Sequence, residues 1–216
     1  MNNILLVIPA RKGSGFFRKN LKLVSGIPLV RHTLNASKIS IPHDTLVTTD
    51  DSYIIEEASP FNAIIDERPD NLSNDESTLD DVMYYVAVNY AYDVYVCLPP
   101  TSPLRTKDHI EEAIDKFLET KADSLISVTE ERKSIWKLDQ DNLAKPLVER
   151  TKNRQKEIPC YISNGAIFIS KRELILKNRN KSSGNTILYP MSEKDSVDVH
   201  NERDIRLAEF NLKENQ

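Results

Sequence analysis

The chain has 216 residues, 29% of them charged and 39% hydrophobic, with a net charge of −4. That length suits one α/β domain with a substantial core and room for a small excursion. The acidic balance argues against general nucleic-acid binding, and the N-terminal apolar run is too short to span a membrane or act as a signal peptide. Cys97 and Cys160 lack metal-site spacing, Cys97 reads as a buried thiol, and a reducing cytoplasm is the default compartment.

In chain order, Ile4-Leu5-Leu6-Val7-Ile8-Pro9 reads as a buried strand. It runs into a turn containing Gly13, Gly15 and the cations Arg11, Lys12, Arg18 and Lys19. Glycine lets backbone N–H groups approach a ligand, and Arg and Lys supply charge-assisted donors to phosphate oxygens. Open α/β sheets bind ligands at the carboxyl ends of their strands, so this loop predicts an anion site. It lacks the Gly-Lys-Ser/Thr of a P-loop and the third glycine of a dinucleotide fingerprint.

Pro28 to Lys38 predicts a first helix, with Pro28 suited to its first turn. Thr45 to Thr49 predicts a strand ending at Asp50-Asp51, where a strand-end carboxylate could contact ribose or metal, and Asp50 could equally cap the short helix from Ser52 to Ala58. Ala63 to Ile65 is a third strand. Thr78 to Tyr90 is a helix with Leu79, Val82, Met83, Val86 and Tyr90 on one face. Ser77 or Thr78 caps it, and Asp80 and Asp81 suit its N-terminus better than acid/base work. Val94 to Leu98 is a buried strand that stops at the rigid Pro99-Pro100-Thr101-Ser102-Pro103-Leu104-Arg105. Thr106 caps a helix to Thr120, and Ser124 to Val128 is another strand.

From Glu130 to Pro159 the pattern becomes charged and irregular, as in a loop, a hairpin or an oligomer arm, with Trp136 as its packing anchor or a dimer-interface residue. Order returns at Tyr161–Ile169, Lys171–Lys177 and Ile187–Pro190, before a last helix from about Glu202 to Phe210. The alternation is that of βαβ units. Right-handed crossovers place the basic loop, Asp50-Asp51 and the Pro-rich loop on one rim. His32, His43 and His109 read as surface or helix residues.

Several blocks together resemble the bacterial acylneuraminate cytidylyltransferases, the CMP-sialic acid synthetases and their relatives that activate legionaminic and pseudaminic acids. The blocks are Ile8-Pro9-Ala10-Arg11 through Arg18-Lys19-Asn20, Thr49-Asp50-Asp51, Arg68-Pro69, Pro100-Thr101-Ser102-Pro103-Leu104-Arg105, Arg154-Gln155, Asn164-Gly165-Ala166-Ile167-Phe168-Ile169 and Ser196-Val197-Asp198. They follow the family's order over nearly the whole chain. The resemblance implies a Rossmann-like three-layer α/β/α nucleotidyltransferase fold with a mostly parallel central sheet. It implies a single domain over 1–216 with a dimerisation excursion at about 130–160.

The implied reaction is transfer of CMP from CTP to the anomeric hydroxyl of a nonulosonic sugar acid, releasing pyrophosphate. Arg11 and Lys19 look like triphosphate-binding cations, and Gly13 and Ser14 belong to the same nucleotide-binding loop. Ala10 would offer backbone contact to the base, with Asn20 and Arg68 as further nucleotide contacts, Arg68 on the cytosine side. Thr101, Ser102 and Arg105 sit where the sugar-acid pocket begins. Asn164 and Phe168 fall on the substrate-side strand. Asp198 matches the first carboxylate of a metal-binding Asp-x-Asp. The implied partners are CTP, a small sugar acid, Mg²⁺ and a second copy of the chain, across whose interface Arg154 would act. Nucleic acid and membrane are not among them.

Three departures fall on this implied site. The basic loop is one residue short and lacks a lysine, unless Lys12 or Arg18 takes its place. Pro99 replaces a sugar-binding Gln. His200 stands where the second metal-binding Asp would be; imidazole suits manganese, cobalt or zinc better than magnesium, and Asp195 or Glu202 could supply a replacement oxygen. Two readings follow: an active cytidylyltransferase with an unusual acceptor acid, and a catalytically weak homologue that binds nucleotide or a partner subunit.

Overall fold

A wholly apolar strand needs cover on both faces, and β1 (Ile4–Pro9) has it. Ile4, Leu6 and Ile8 pack into one buried cluster, and Leu5 and Val7 into another. The computed structural model describes residues 3–13, 16–133, 135–147 and 159–214. Ser14, Gly15 and Arg154 therefore lie outside the described residues.

β1 sits inside a seven-stranded sheet of order β11-β7-β10-β6-β1-β4-β5. It pairs in parallel with β4 (Asp44–Thr49) and β6 (Val94–Cys97), and β4 pairs in parallel with β5 (Ile64–Glu67). β7 (Ser124–Glu131) and β11 (Thr186–Pro190) form a second parallel pair. β10 (Cys160–Lys171) runs antiparallel between β6 and β7. The sheet is thus mostly parallel, as expected, with one reversed strand.

Helices α1 (Leu29–Ala36), α2 (Ser52–Ala58) and α4 (Lys107–Glu119) cover the face of Leu6 and Ile8, contributing Val30, Leu34, Ile54, Ile110 and Ile114. Helices α3 (Leu79–Asn89) and α5 (Arg172–Asn178) cover the other face, with Met83, Val86 and Ile175. This gives the three layers. A smaller cluster joins α6 (Glu202–Glu214) to Val24 of the short hairpin β2 (Leu23–Val24) and β3 (Ile27–Pro28), and to Leu104.

Local signals account for the helix starts. Asp51 accepts a hydrogen bond from Tyr53 N at 3.0 Å and so caps α2; the expectation that Asp50 caps this helix is corrected, because Asp50 Oδ1 accepts from Lys12 N instead. Thr78 and Asp81 form a reciprocal capping box on α3, and Thr106 and His109 do the same on α4. His32 and His43 bond backbone carbonyls of Val24 and Ile41.

The excursion contains a hairpin of β8 (Trp136–Leu138) and β9 (Ala144–Pro146). Trp136 is 50% exposed there. Among the described residues β8 pairs only with β9.

Candidate active site

The basic loop leaves β1 at its carboxyl end. Ala10 N donates to Thr48 O at 3.0 Å, so Ala10 is buried against β4. Lys12 N donates to Asp50 Oδ1 at 2.7 Å. Gly13 adopts φ +72°, a left-handed conformation that glycine reaches without cost. The loop closes through the buried Asn20, whose Nδ2 donates to Arg11 O at 2.7 Å. Asn20 thus clamps the loop that carries the cations.

Arg18 is turned toward α2. Its guanidinium lies 4.5 Å over the Tyr53 ring, and its Nε is 3.9 Å from Asp51 Oδ2. It is therefore drawn toward α2.

Three cations act on one another electrostatically. Burial pulls the pKa of Lys19 below its ordinary value; Asp198 opposes this, Arg11 reinforces it, and Asp204 opposes it. Burial lowers Arg68 to about 10, with Asp50 and Asp66 opposing and Arg11 again reinforcing. Arg68 donates to Thr48 O at 2.8 Å and to Thr48 Oγ1 at 3.3 Å. Asp66 beside it accepts from the hydroxyls of Tyr85 and Tyr90, both at 3.1 Å. Arg11, Lys19 and Arg68 are thus gathered on one rim of the sheet. Such a cluster is costly alone and favourable around a polyanion.

The opposite wall is built by a break in β10. Its register with β7 shifts between Ser163 and Phe168. Asn164 Oδ1 accepts from Ser127 Oγ at 2.6 Å, and its Nδ2 donates to Ser196 Oγ at 2.8 Å. Asn164 therefore ties the bulge to the segment leading into Asp198. Gly165, at φ +73°, passes so close that a Cβ there would lie 3.2 Å from Asp198 Oδ2.

His200 Nε2 lies 2.8 Å from Asp198 Oδ2, while Asp198 Oδ1 is buried with no hydrogen-bond partner. Asp204 Oδ2 accepts from His200 N at 2.8 Å and Asn201 N at 3.0 Å, fixing the turn into α6. Asp195 Oδ2 accepts from Ser192 Oγ at 2.6 Å, and Glu202 Oε1 lies 3.5 Å from Lys22 Nζ. Among the described residues there is no group of three or more His, Cys, Asp or Glu side chains able to hold a metal. On this wall, Asp198 Oδ1 is a carboxylate oxygen left without a hydrogen bond. A carboxylate oxygen is the type of ligand that hard divalent cations favour.

The loop after β6 meets this wall: Val199 N donates to Thr101 O at 2.8 Å. Ser102 is buried, and its Oγ has no partner. Arg105 lies deeper. It donates to Ala166 O at 2.6 Å, Pro99 O at 3.1 Å and Thr33 Oγ1 at 2.6 Å. Burial lowers its pKa to about 9, still above neutral, so it remains a cation. Arg105 joins the Pro-rich loop to β10 and α1 as part of the scaffold. Phe168 packs with the α3–α5 face of the core beneath Lys181, whose Nζ is 4.8 Å from the ring centroid.

The structure thus draws Ala10, Arg11, Lys19, Asn20, Arg68, Thr101, Asn164, Asp198 and His200 toward one rim. Sequence reasoning missed the grip of Asn74 and Asp75 on Arg11, at 2.7 and 2.8 Å, and the part of Asp204. The Asn-Asp-Glu-Ser run signals a turn, but no sequence signal gives a partner 63 residues away.

A model of the cytidylyltransferase family matches residues 5–197. The N-acylneuraminate cytidylyltransferase of Streptococcus agalactiae serotype V is 32% identical over 205 residues, which cover 90% of this chain and 50% of that protein. The CMP-N,N'-diacetyllegionaminic acid synthase of Legionella pneumophila is 32% identical over 229 residues, which cover 99% of this chain and 97% of that protein. The chain therefore spans about half the length of the streptococcal relative and nearly all of the legionellar one. A solved CMP:2-keto-3-deoxy-manno-octonic acid synthetase in complex with CTP has the same fold, with a TM-score of 0.73 at 15% identity, covering 99% of this chain and all of that one.

Proposed function

The chain belongs to the cytidylyltransferase family, and from that premise we propose that it transfers CMP from CTP to the anomeric hydroxyl of a nonulosonic sugar acid. The observation that carries this reading is the gathering of Arg11, Lys19 and Arg68 opposite Asp198 on the carboxyl rim of the sheet. A triphosphate brings to that rim the negative charge the cations lack.

In this reading the acid's hydroxyl oxygen bonds to the α-phosphorus of CTP. The bond to the β-phosphate bridge breaks, and pyrophosphate leaves with its electron pair while the hydroxyl proton passes to solvent. Arg11 and Lys19 hold the phosphates and offset charge that builds on the departing pyrophosphate. Arg68 and the Ala10 backbone border the nucleoside side. Thr101 and Ser102 border the acceptor, with Ser102 Oγ as an unused buried donor. Asn164 acts through the bulge, holding Gly165 and Asp198 in place.

Cytidylyltransferases generally use a divalent metal. Here Asp198 Oδ1 is the oxygen that would hold Mg²⁺ or Mn²⁺, and the bound ion would neutralise phosphate charge. His200 bonds the other oxygen of the same carboxylate. A different anionic acceptor is the second reading, favoured by Pro99, which offers its carbonyl to Arg105 and has no side-chain donor.

The excursion supports a homodimer. Leu138, Leu143 and Leu147 are 67%, 62% and 55% exposed beside Trp136, an apolar surface that a second copy would cover. No helix among the described residues is long and apolar enough to cross a membrane; a cytoplasmic location agrees with use of CTP.

Calorimetric titration with CTP, UTP, ATP and GTP tests the nucleotide assignment. CTP binds selectively if the reading is correct, and equal or absent binding of all four removes it.

A further inference from the structure

Arg11 is held at both ends. Its backbone carbonyl accepts from Asn20. Its Nη1 donates to Asn74 O at 2.7 Å, and its Nη2 lies 2.8 Å from Asp75 Oδ1. Consecutive residues of one loop thus grip the two terminal nitrogens of one guanidinium. Two contacts on a planar group fix its plane as well as its position, which a single contact could not do.

The loop that makes this grip is itself stiff. It begins with a 3₁₀ turn at Asp70–Leu72 and ends at Thr78, the cap of α3. Asn74 Oδ1 accepts from Glu76 N and Ser77 N, both at 3.0 Å, and Asn74 Nδ2 donates to Asn71 O at 3.1 Å. Ser77 Oγ donates toward the same Asn71 carbonyl at 3.1 Å. Asp75 therefore projects from a closed turn anchored on both sides.

We propose that Asp75 is a positioning residue for phosphate recognition: it orients the Arg11 guanidinium and so couples the loop after β5 to the basic loop after β1. The inference rests on the cytidylyltransferase reading. Asp75 is 64% exposed, so its Coulombic strength is modest and its value is geometric. Of the five N–H donors of an arginine, one on each terminal nitrogen is committed to the loop, and the rest remain for phosphate oxygens. Arg11 also depresses both Lys19 and Arg68. A carboxylate on its outer side offsets that mutual repulsion before a polyanion arrives.

The test separates triphosphate recognition from nucleoside recognition. Affinities for CTP and CMP are measured by calorimetry on the wild type, Asp75→Ala, Asp75→Glu and Arg11→Ala, and on Arg11→Ala combined with Asp75→Ala. The proposal expects Asp75→Ala to weaken CTP about tenfold and CMP less than about twofold. It expects Asp75→Glu to recover most of the loss, and Asp75→Ala to cost nothing further once Arg11 is gone. Equal losses for CTP and CMP would show a merely structural loop and overturn it. So would unchanged CTP affinity, or tighter CTP binding, which would make Asp75 a competitor of phosphate. A wild type that binds no CTP would defeat the functional reading itself, and this inference with it.

Discussion

Asp198 presents its two oxygens to different surroundings: Oδ2 meets His200 Nε2 at 2.8 Å, and Oδ1 is buried without a partner. One carboxylate is thereby divided between a positioning bond and a free donor. His200→Asp places a second carboxylate where an imidazole now stands. Hard divalent ions favour oxygen ligands, so Mg²⁺ should bind about tenfold tighter in the presence of CTP. Mn²⁺ competition followed by electron paramagnetic resonance checks this. Unchanged affinity would remove this rim from metal binding.

Lys19 carries a pH dependence whose sign is fixed by its surroundings. Burial holds its pKa below the ordinary 10.5 in the free protein, and bound polyphosphate would raise it. CTP affinity therefore falls as pH rises through the free-protein pKa. Folding stability has the opposite slope, rising over the window between that lowered pKa and 10.5, because the unfolded chain holds the proton more tightly. Lys19→Arg should move the loss of CTP affinity to higher pH. Lys19→Ala should weaken CTP by about a hundredfold, as for a lost charge-assisted bond, with the melting temperature little changed. A wild-type affinity flat across alkaline pH would contradict this assignment.

Much of this was legible in the sequence, for physical reasons. The apolar run at Ile4–Pro9 could only be a strand covered on both faces, and the periodicity of Thr78–Tyr90 matched α3 (Leu79–Asn89) to within a residue at each end. The basic loop stood out because two glycines and four cations follow a strand end, and β1 does end there. Side-chain direction was not legible. Arg105 stood in a motif associated with substrate, yet it points into the scaffold because three acceptors, two of them buried, converge on it. Asp75 carried no signal, since its partner is brought near only by pairing of β1 with β4 and of β4 with β5.

Gly165 ties backbone shape to the acidic wall. An alanine there meets φ +73°, which costs about 1 kcal/mol. Its methyl also presses on Asp198 Oδ2 from 3.2 Å. Gly165→Ala should lose metal-dependent activity by an order of magnitude or more while denaturant unfolding shows about 1–2 kcal/mol of destabilisation. A variant that loses stability but retains metal response would free Asp198 from this contact.

Arg105 should behave as a structural residue. Arg105→Ala strands the Ala166 carbonyl and the Thr33 hydroxyl in the interior, at a cost of about 3 kcal/mol. Arg105→Lys keeps the charge and part of the bonding and should lose about half as much. Urea unfolding measures both. Wild-type stability in Arg105→Ala would place the guanidinium outside the scaffold.

The central claim is CMP transfer to a sugar acid, and pyrophosphate release tests it most directly. The protein is incubated with CTP, Mg²⁺ or Mn²⁺, and a panel of nonulosonic acids, with UTP and omission of the acid as controls. The account predicts release that needs CTP, a divalent ion and one acid of the panel, with a CMP-sugar formed in equal amount. Selective CTP binding with no release from any acid or metal would contradict transfer to this class of acceptor.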